Sequence, residues 1–195
     1  MHPLDLEQER IRLDREITFF HFKKAQRIVD RALRQARQQK ESFFSNYFTG
    51  QYYIVREQYD HALRFFFRAL SLRPKDGCTY NDIALCYAEL GDYDQAERFF
   101  DEGLTKDRDC PALYHNKGWF LNLLGQHKQA SLCFHKALEL EKDRPESLYS
   151  LADSCYCLGD YKSAKKYFSR AASLLKGKSA YMTREVHRRL KDINS

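Results

Sequence analysis

The stretch LGDYDQAERFF, residues 90–100, returns as LGDYKSAKKYF at residues 158–168. Midway between them, residues 124–134 read LGQHKQASLCF, with the same Leu-Gly start, an alanine six residues after the leucine and a phenylalanine at the end. Successive copies therefore lie 34 residues apart. A fixed period of this length predicts an array of similar structural units.

Four consecutive frames, 43–76, 77–110, 111–144 and 145–178, fit this period without an insertion. Within each frame, apolar residues recur at helical spacing, stop and then resume, which predicts two α-helices per frame. Gly91, Gly125 and Gly159 lie at the interruption. Glycine ends a helix readily there because it adopts left-handed backbone geometry without a Cβ penalty.

These residues resemble the tetratricopeptide repeat (TPR) family, whose 34-residue unit has a small residue in its first helix and an alanine and an aromatic residue in its second. The small residue is Gly50, Ala84, Gly118 and Ala152, the alanine is Ala62, Ala96, Ala130 and Ala164, and the aromatic residue is Phe66, Phe100, Phe134 and Phe168. In the first frame Glu57 replaces the turn glycine. The resemblance covers residues 43–178 and implies an all-α, right-handed superhelical solenoid of TPR helix pairs with a C-terminal capping helix.

The two flanking segments are predicted to extend the array. Residues 1–42 form a basic helical segment and a candidate degenerate TPR, because FKKAQRIVDRALRQA aligns with the second helix of a repeat through Phe22, Ala25, Val29 and Ala32. The sequence leaves open whether this segment packs as a repeat or occupies the groove. Residues 179–195 predict a capping helix, with Met182, Val186, Leu190 and Ile193 on one face.

Composition excludes several classes of protein. The 195 residues are 43% hydrophobic and 31% charged, with 8 Gly and 4 Pro, which is typical of a folded, helix-rich protein. No apolar run predicts a secretory signal or a membrane span, so a cytoplasmic location is expected. The six cysteines include no CxxC pair, which favours reduced thiols. No catalytic, nucleotide-binding or metal-binding motif is found, so we predict no enzymatic activity, no cofactor and no metal.

The resemblance implies that the first helices line a concave groove that binds partners. The predicted groove residues are Phe44, Tyr47, Phe48, Gln51, Asn81, Asp82, Leu85, His115, Asn116, Trp119, Asn122, Tyr149, Asp153 and Tyr156. This set contains no Lys or Arg. Family members that hold the acidic tails of heat-shock chaperones use a clamp of Lys, Arg and Asn at such positions. We therefore predict that this chain does not bind those tails.

Groove chemistry instead favours an apolar or extended partner segment. Trp119 is the main candidate anchor, because aromatic side chains in concave sites contribute much of the binding energy; the alternative is a tryptophan packed between repeats. Asparagine amides can pair with both donor and acceptor groups of a peptide backbone. Four acids, Asp82, Glu89, Glu146 and Asp153, would favour a partner with Lys or Arg beside its apolar residues, or they are solvated surface.

The predicted function is a non-enzymatic protein–protein interaction module or scaffold that binds a peptide or helix of a partner. Two alternatives remain: a secretion-type chaperone for an aggregation-prone client, and an adaptor for nucleic acid or an anionic surface. The adaptor hypothesis rests on a net charge of +6 and a stripe formed by Lys23, Arg27, Arg31 and Arg34. Such a stripe is also typical of the solvated face of an amphipathic helix. No recognised nucleic-acid-binding motif accompanies it, so we do not expect nucleic acid as the partner.

Overall fold

The computed structural model describes residues 5–18 and 21–194, which form eleven α-helices and no β-strand. The helices are α1 (Leu6–Thr18), α2 (Phe22–Gln38), α3 (Ser42–Ile54), α4 (Tyr59–Leu72), α5 (Gly77–Glu89), α6 (Tyr93–Lys106), α7 (Pro111–Leu123), α8 (His127–Leu140), α9 (Pro145–Cys157), α10 (Tyr161–Leu175) and α11 (Ala180–Asn194). The predicted all-α fold is confirmed. Each 34-residue frame contains two of these helices.

The chain divides into two compact units at Arg108 and Asp109. Unit 1 contains α1 to α6, and consecutive helices within it pack against each other. Unit 2 contains α7 to α11 and is built in the same way, with an additional contact between α7 and α9. Packing between chain neighbours is the pattern expected of stacked helical repeats.

Helix starts carry capping residues that the repeat supplies. The Asp92 side chain accepts a hydrogen bond from the Gln95 backbone N at 3.2 Å, and Asp160 accepts one from the Ser163 backbone N at 3.0 Å. These aspartates satisfy backbone donors that have no partner within their own helix. Pro111, the first residue of α7, has no N–H of its own to be satisfied at the helix start.

Each helix pair reverses direction through a residue with left-handed backbone geometry. Gly91 has a φ of +80°, and its N–H donates to the Ala88 carbonyl at 3.1 Å. Glu57 replaces this glycine in the first frame, yet it keeps the same geometry, with a φ of 57° and a hydrogen bond to the Ile54 carbonyl at 2.8 Å. The turn is therefore imposed by the packing of the pair and does not require glycine.

The core is built from the residues that repeat. All four second-helix alanines and all four second-helix phenylalanines are completely buried: Ala62, Ala96, Ala130, Ala164, Phe66, Phe100, Phe134 and Phe168. The small residue of the first helix lies against this phenylalanine. A Cβ atom on Gly50 would come within 2.5 Å of the Phe66 ring, and one on Gly118 within 2.7 Å of the Phe134 ring. Close helix crossing explains the small residue at this position.

The flanking helices α2 and α11 each bury apolar residues. Ala25, Val29 and Ala32 of α2 are completely buried, as are Val186 and most of Met182 in α11. Phe22, which the alignment places at the start of the second helix of the degenerate unit, is 60% exposed. Phe22 is the first residue of α2 and precedes the part of that helix that is buried.

Candidate protein-interaction site

The predicted groove residues lie on the first helices of the repeats, and we call those of each unit its inner face. The inner face of unit 1 comprises residues of α3 and α5: Phe44, Tyr47, Phe48, Gln51, Asn81, Asp82 and Leu85. The inner face of unit 2 comprises residues of α7 and α9: His115, Asn116, Trp119, Asn122, Tyr149, Asp153 and Tyr156. The first set is buried apart from the half-buried Leu85, whereas the second set is half-buried apart from the exposed Trp119.

A buried polar cluster connects α3 and α5 in unit 1. Gln51 Nε2 donates to Asp82 Oδ2 at 2.6 Å and lies 3.2 Å from the Tyr47 hydroxyl oxygen. Asn81 Nδ2 lies 3.3 Å from Asp82 Oδ1. Burial raises the pKa of the Asp82 carboxyl to about 7, although the Tyr47 hydroxyl and Asn81 partly favour the charged form. Burial and the nearby Asp82 likewise raise the pKa of Tyr47.

Arg10 of α1 extends over the inner face of unit 1. Its two terminal nitrogens donate to Asp76 Oδ1 at 3.0 Å and to Asp76 Oδ2 at 2.8 Å. The guanidinium carbon lies 4.3 Å from the Tyr47 ring centre and 5.4 Å from that of Phe43. Arg10 is only 7% exposed. The prediction that the groove contains no Lys or Arg is therefore incomplete, because α1 contributes an arginine that belongs to none of the four frames.

A second arginine reaches the same end of the unit 1 face. Arg73, at the C-terminus of α4, lies 3.9 Å above the Phe43 ring and 4.6 Å from the Phe44 ring. It also donates to Glu7 at 2.7 Å, and Glu7 accepts from Arg10 at 3.0 Å. Phe48 is completely buried and so belongs to the core. The aromatic residues of this face thus contact the chain's own arginines.

The inner face of unit 2 presents apolar surface. Trp119 is 38% exposed, and Leu123, one turn further along α7, is 55% exposed. Residues four apart on a helix lie on the same side, so the two side chains form one exposed apolar strip. This strip is the most accessible aromatic part of the predicted groove.

The α9 part of the unit 2 face is engaged by α11. Arg189 pairs with Asp153 at 2.8 Å, and its guanidinium carbon lies 5.7 Å from the Tyr156 ring centre. The Tyr149 hydroxyl donates to Glu185 at 3.4 Å. Like Arg10, Arg189 was missed by the sequence-based description of the groove because it lies outside the four frames.

Two polar groups of α7 connect it to α9. His115 Nδ1 lies 3.0 Å from the hydroxyl of the completely buried Ser147, and burial together with the charge of Arg144 lowers the pKa of His115 to about 3. Asn122 Oδ1 accepts from the Ser154 hydroxyl at 3.0 Å. These groups contribute to the packing of the helices in unit 2.

Three of the four acids that were predicted to attract a cationic partner already have intramolecular contacts. Asp82 accepts from Gln51, Asp153 pairs with Arg189, and Glu146 lies 2.8 Å from Arg144. The fourth, Glu89, is exposed at the end of α5. These intramolecular pairs weaken the expectation that the four acids select Lys or Arg in a partner.

One residue of the cationic stripe of α2 pairs with a carboxylate of α1. Arg31 forms an ion pair with the buried Glu9, which also pairs with Arg12 at 2.9 Å. Lys23, Arg27 and Arg34 are exposed. The stripe is therefore less positive than the sequence of α2 alone indicates.

Within residues 5–18 and 21–194, no group of three or more His, Cys, Asp or Glu side chains is placed to hold a metal ion. None of the described helices combines the length and the apolar composition needed to cross a membrane.

Stacked helix pairs with small-residue crossings and buried second-helix phenylalanines define a helical repeat protein. Three models of the tetratricopeptide repeat match the chain, at residues 56–117, 111–144 and 145–177. The chain belongs to the tetratricopeptide repeat family. A comparison with curated proteins finds no match.

Solved structures show the same fold at low sequence identity. The chain is similar to the MamA RS-1 ArsTM double mutant, with 17% identity, 90% of this chain and 97% of that chain covered, and a TM-score of 0.59. It is similar to the APC/C hetero-tetramer Cut9-Hcn1, with 19% identity, 88% of this chain and 35% of that chain covered, and a TM-score of 0.73. It is also similar to the first TPR of Spaghetti (RPAP3), bound to the HSP90 peptide SRMEEVD. The identity is 19%, 62% of this chain and 95% of that chain are covered, and the TM-score is 0.56. Family and fold together support a protein-interaction scaffold.

Proposed function

We propose that the chain binds a segment of a partner protein, either a peptide or a helix, on the inner faces of its TPR helix pairs. The observation that carries this proposal is the exposed strip of Trp119 and Leu123 on α7, the first helix of its pair. Single exposed apolar residues are common on proteins. An exposed tryptophan beside an exposed leucine, on the face by which the family binds partners, supports an anchoring site.

The chemistry of the faces favours a partner whose apolar residues contribute most of the binding energy. In unit 2, Asp153 and Glu146 are engaged by Arg189 and Arg144, so a partner's cation would have to displace an existing ion pair there. We therefore expect an apolar or aromatic side chain of the partner to contact Trp119. The protein-interaction role is non-enzymatic, as is general for this family, and we retain a cytoplasmic location as a prediction that cell fractionation tests.

The test compares the exposed strip of α7 with a single exposed leucine of α8. Trp119→Ala with Leu123→Ala removes the proposed anchor, whereas Leu132→Ala removes a 70%-exposed leucine from the second helix α8. Each full-length variant is used as bait in affinity purification with quantitative mass spectrometry. We expect the recovery of specific partners to fall about tenfold or more for the double variant and to stay unchanged for Leu132→Ala, with circular dichroism equal to that of the wild type. Equal recovery by both baits would contradict the proposal.

A direct titration then distinguishes the alternatives. Trp119 is the single tryptophan, so its fluorescence reports on binding at this strip alone. A folded partner segment should change the emission with little dependence on salt, whereas a chaperone for an aggregation-prone client should bind the client only when it is unfolded. An adaptor for an anionic surface should instead lose binding steeply with salt and on replacing Lys23, Arg27 and Arg34 with Gln.

A further inference from the structure

We propose that Asp76, Tyr47 and Phe43 form an arginine-binding pocket in unit 1, that α1 fills it with Arg10, and that a partner helix carrying an arginine binds there by displacing α1. This inference rests on the proposed function, because it treats an inner face as the partner-binding site. It specifies that the partner contributes an arginine. It also states that α1 covers this part of the inner face in the free protein.

The pocket recognises the shape of a guanidinium group. Asp76 presents both carboxylate oxygens to Arg10, at 3.0 and 2.8 Å, while the guanidinium carbon lies over the Tyr47 ring, 4.3 Å from its centre. A bidentate carboxylate combined with an aromatic face fits arginine and does not fit the ammonium of lysine in the same way. The pocket therefore predicts selectivity for arginine over lysine.

The pocket is held in place independently of Arg10. Asp76 is the N-cap of α5, and its Oδ2 accepts from the Thr79 backbone N at 2.8 Å and from the Thr79 hydroxyl at 2.5 Å. Tyr47 is fixed within the core, 5.8 Å from the completely buried Phe66 ring. Burial disfavours the charged carboxylate of Asp76, but Arg10 and Thr79 outweigh this effect and lower its pKa. Removal of Arg10 would leave a fixed, partly buried negative charge that a second guanidinium can neutralise.

The helix α1 is held largely by polar contacts that another helix can reproduce. Leu6 and Leu13 are its buried apolar residues, while Ile11 is exposed. By comparison, α4 buries four apolar side chains, Ala62, Leu63, Phe66 and Ala69. Buried ion pairs add little net stability, since desolvation offsets much of their attraction. Displacement of α1 by a competing helix is therefore feasible without loss of the core.

Charges around the pocket specify the partner further. Glu7 precedes Arg10 by one helical turn and pairs with Arg73, which stands beside the pocket. A partner helix with an acidic residue three positions before its arginine would satisfy Arg73 and Asp76 together. We infer that the pattern Glu-x-x-Arg on one helical face is the recognition element.

The experiment uses the full chain and a peptide probe. The probe is a fluorescein-labelled peptide of residues 5–18, DLEQERIRLDREIT, and binding is followed by fluorescence anisotropy. The acceptor is the chain carrying Arg10→Ala and Leu13→Ala, which releases α1 and leaves the pocket residues unchanged. We expect this variant to bind the peptide at least tenfold more tightly than the wild-type chain, whose pocket is filled. A peptide with Arg10→Lys should bind at least tenfold more weakly, and Asp76→Asn in the acceptor should abolish the difference between the two peptides.

Several results would overturn the proposal. One is a released variant that keeps wild-type circular dichroism and does not bind the peptide at millimolar concentration, and another is equal binding of the arginine and lysine peptides. If the released variant does not fold, the single variant Arg10→Lys, which keeps both leucines, replaces it and should bind the peptide more tightly than the wild type. A wild-type dimer that the peptide dissociates would make a second copy of the chain the occupant in place of a foreign helix.

The result also separates this inference from the proposed function. If the peptide fails to bind while partner recovery still depends on Trp119, the arginine pocket is wrong and the inner-face proposal stands. If the peptide binds through Asp76 while recovery is independent of Trp119, the strip on α7 is not the site and the pocket in unit 1 remains.

Discussion

Gln51 Nε2 on α3 donates a 2.6 Å hydrogen bond to Asp82 Oδ2 on α5, and this bond connects the first helices of two successive repeats within unit 1. Both side chains are buried. Burial raises the pKa of Asp82 to about 7, and the opposing charge of Arg10 on α1 limits the rise. In an unfolded chain, the pKa of an aspartate is close to 4. The folded protein therefore binds a proton at Asp82 that the unfolded chain releases.

This pKa difference predicts that Asp82 makes the protein less stable as pH rises. Between about pH 4 and pH 7 the folded state holds more protons than the unfolded state, so the free energy of unfolding decreases with pH over this window. Asp82→Asn removes the titration. We expect Asp82→Asn to be more stable relative to the wild type at pH 8 than at pH 4, by on the order of 4 kcal/mol for a pKa difference of about three units.

Urea denaturation of both proteins at several pH values measures this effect. Glu97→Gln, at an exposed position of α6, is the matched control and should leave the pH dependence unchanged. If the curves of Asp82→Asn and the wild type run parallel from pH 4 to pH 8, Asp82 does not titrate in the folded state as inferred.

The left-handed backbone of Glu57 predicts that glycine at this position stabilises the protein. Its φ of 57° lies in the left-handed region, which costs a non-glycine residue about 1–2 kcal/mol. The equivalent turn between α5 and α6 has Gly91 in the same geometry. We expect Glu57→Gly to raise the free energy of unfolding by up to about 1 kcal/mol, because the greater flexibility of glycine in the unfolded state offsets part of the gain. Thermal denaturation measures this change in stability. The reverse substitution at the equivalent turn, Gly91→Glu, should lower the melting temperature. A lower melting temperature for Glu57→Gly would contradict the explanation.

The close approach of Gly118 to the Phe134 ring predicts that a larger residue at position 118 destabilises the protein. A Cβ atom at this position would come within 2.7 Å of the completely buried Phe134 ring, so Gly118→Ala must displace the ring. Overpacking of this kind typically costs about 1–3 kcal/mol. In a double-mutant cycle measured by urea denaturation, Phe134→Leu should cost less in the Gly118→Ala background than in the wild type, because the smaller side chain relieves the clash. Additive effects would show that the two positions do not interact.

The repeating residues explain how much of the fold the sequence predicts. Alanines such as Ala96 and phenylalanines such as Phe100 recur because every helix pair must cross at the same short distance, so their positions predict the helices and the core. Trp119 was likewise predicted on the inner helix, and it is exposed there. Arg10 and Arg189 were missed because they lie on α1 and α11, outside the period, and their side chains reach inner-face residues only in the folded chain.

One feature of the sequence does indicate the position of Arg10. It precedes Tyr47 by 37 residues, the same offset that relates Ala25 to Ala62. With this offset, Arg10 aligns with an inner-face position of the first full repeat. The contact with Asp76 could not be predicted in this way, because it depends on how closely α1 approaches the start of α5.

His115 predicts a loss of stability at acidic pH, opposite in sign to the effect of Asp82. Burial and the charge of Arg144 lower its pKa to about 3, whereas an unfolded histidine titrates near 6.5. As pH falls from 6.5 towards 3, the unfolded chain takes up a proton at His115 that the folded chain does not, so the free energy of unfolding decreases.

NMR titration of the His115 ring protons measures the pKa of this side chain in the folded protein. We expect its chemical shifts to stay constant from pH 8 to about pH 4, because protonation would place a cation beside Arg144 and disturb the contact of Nδ1 with the buried Ser147 hydroxyl at 3.0 Å. A midpoint close to 6.5 in the folded protein would show that the ring is solvated and that α7 and α9 are not connected through it.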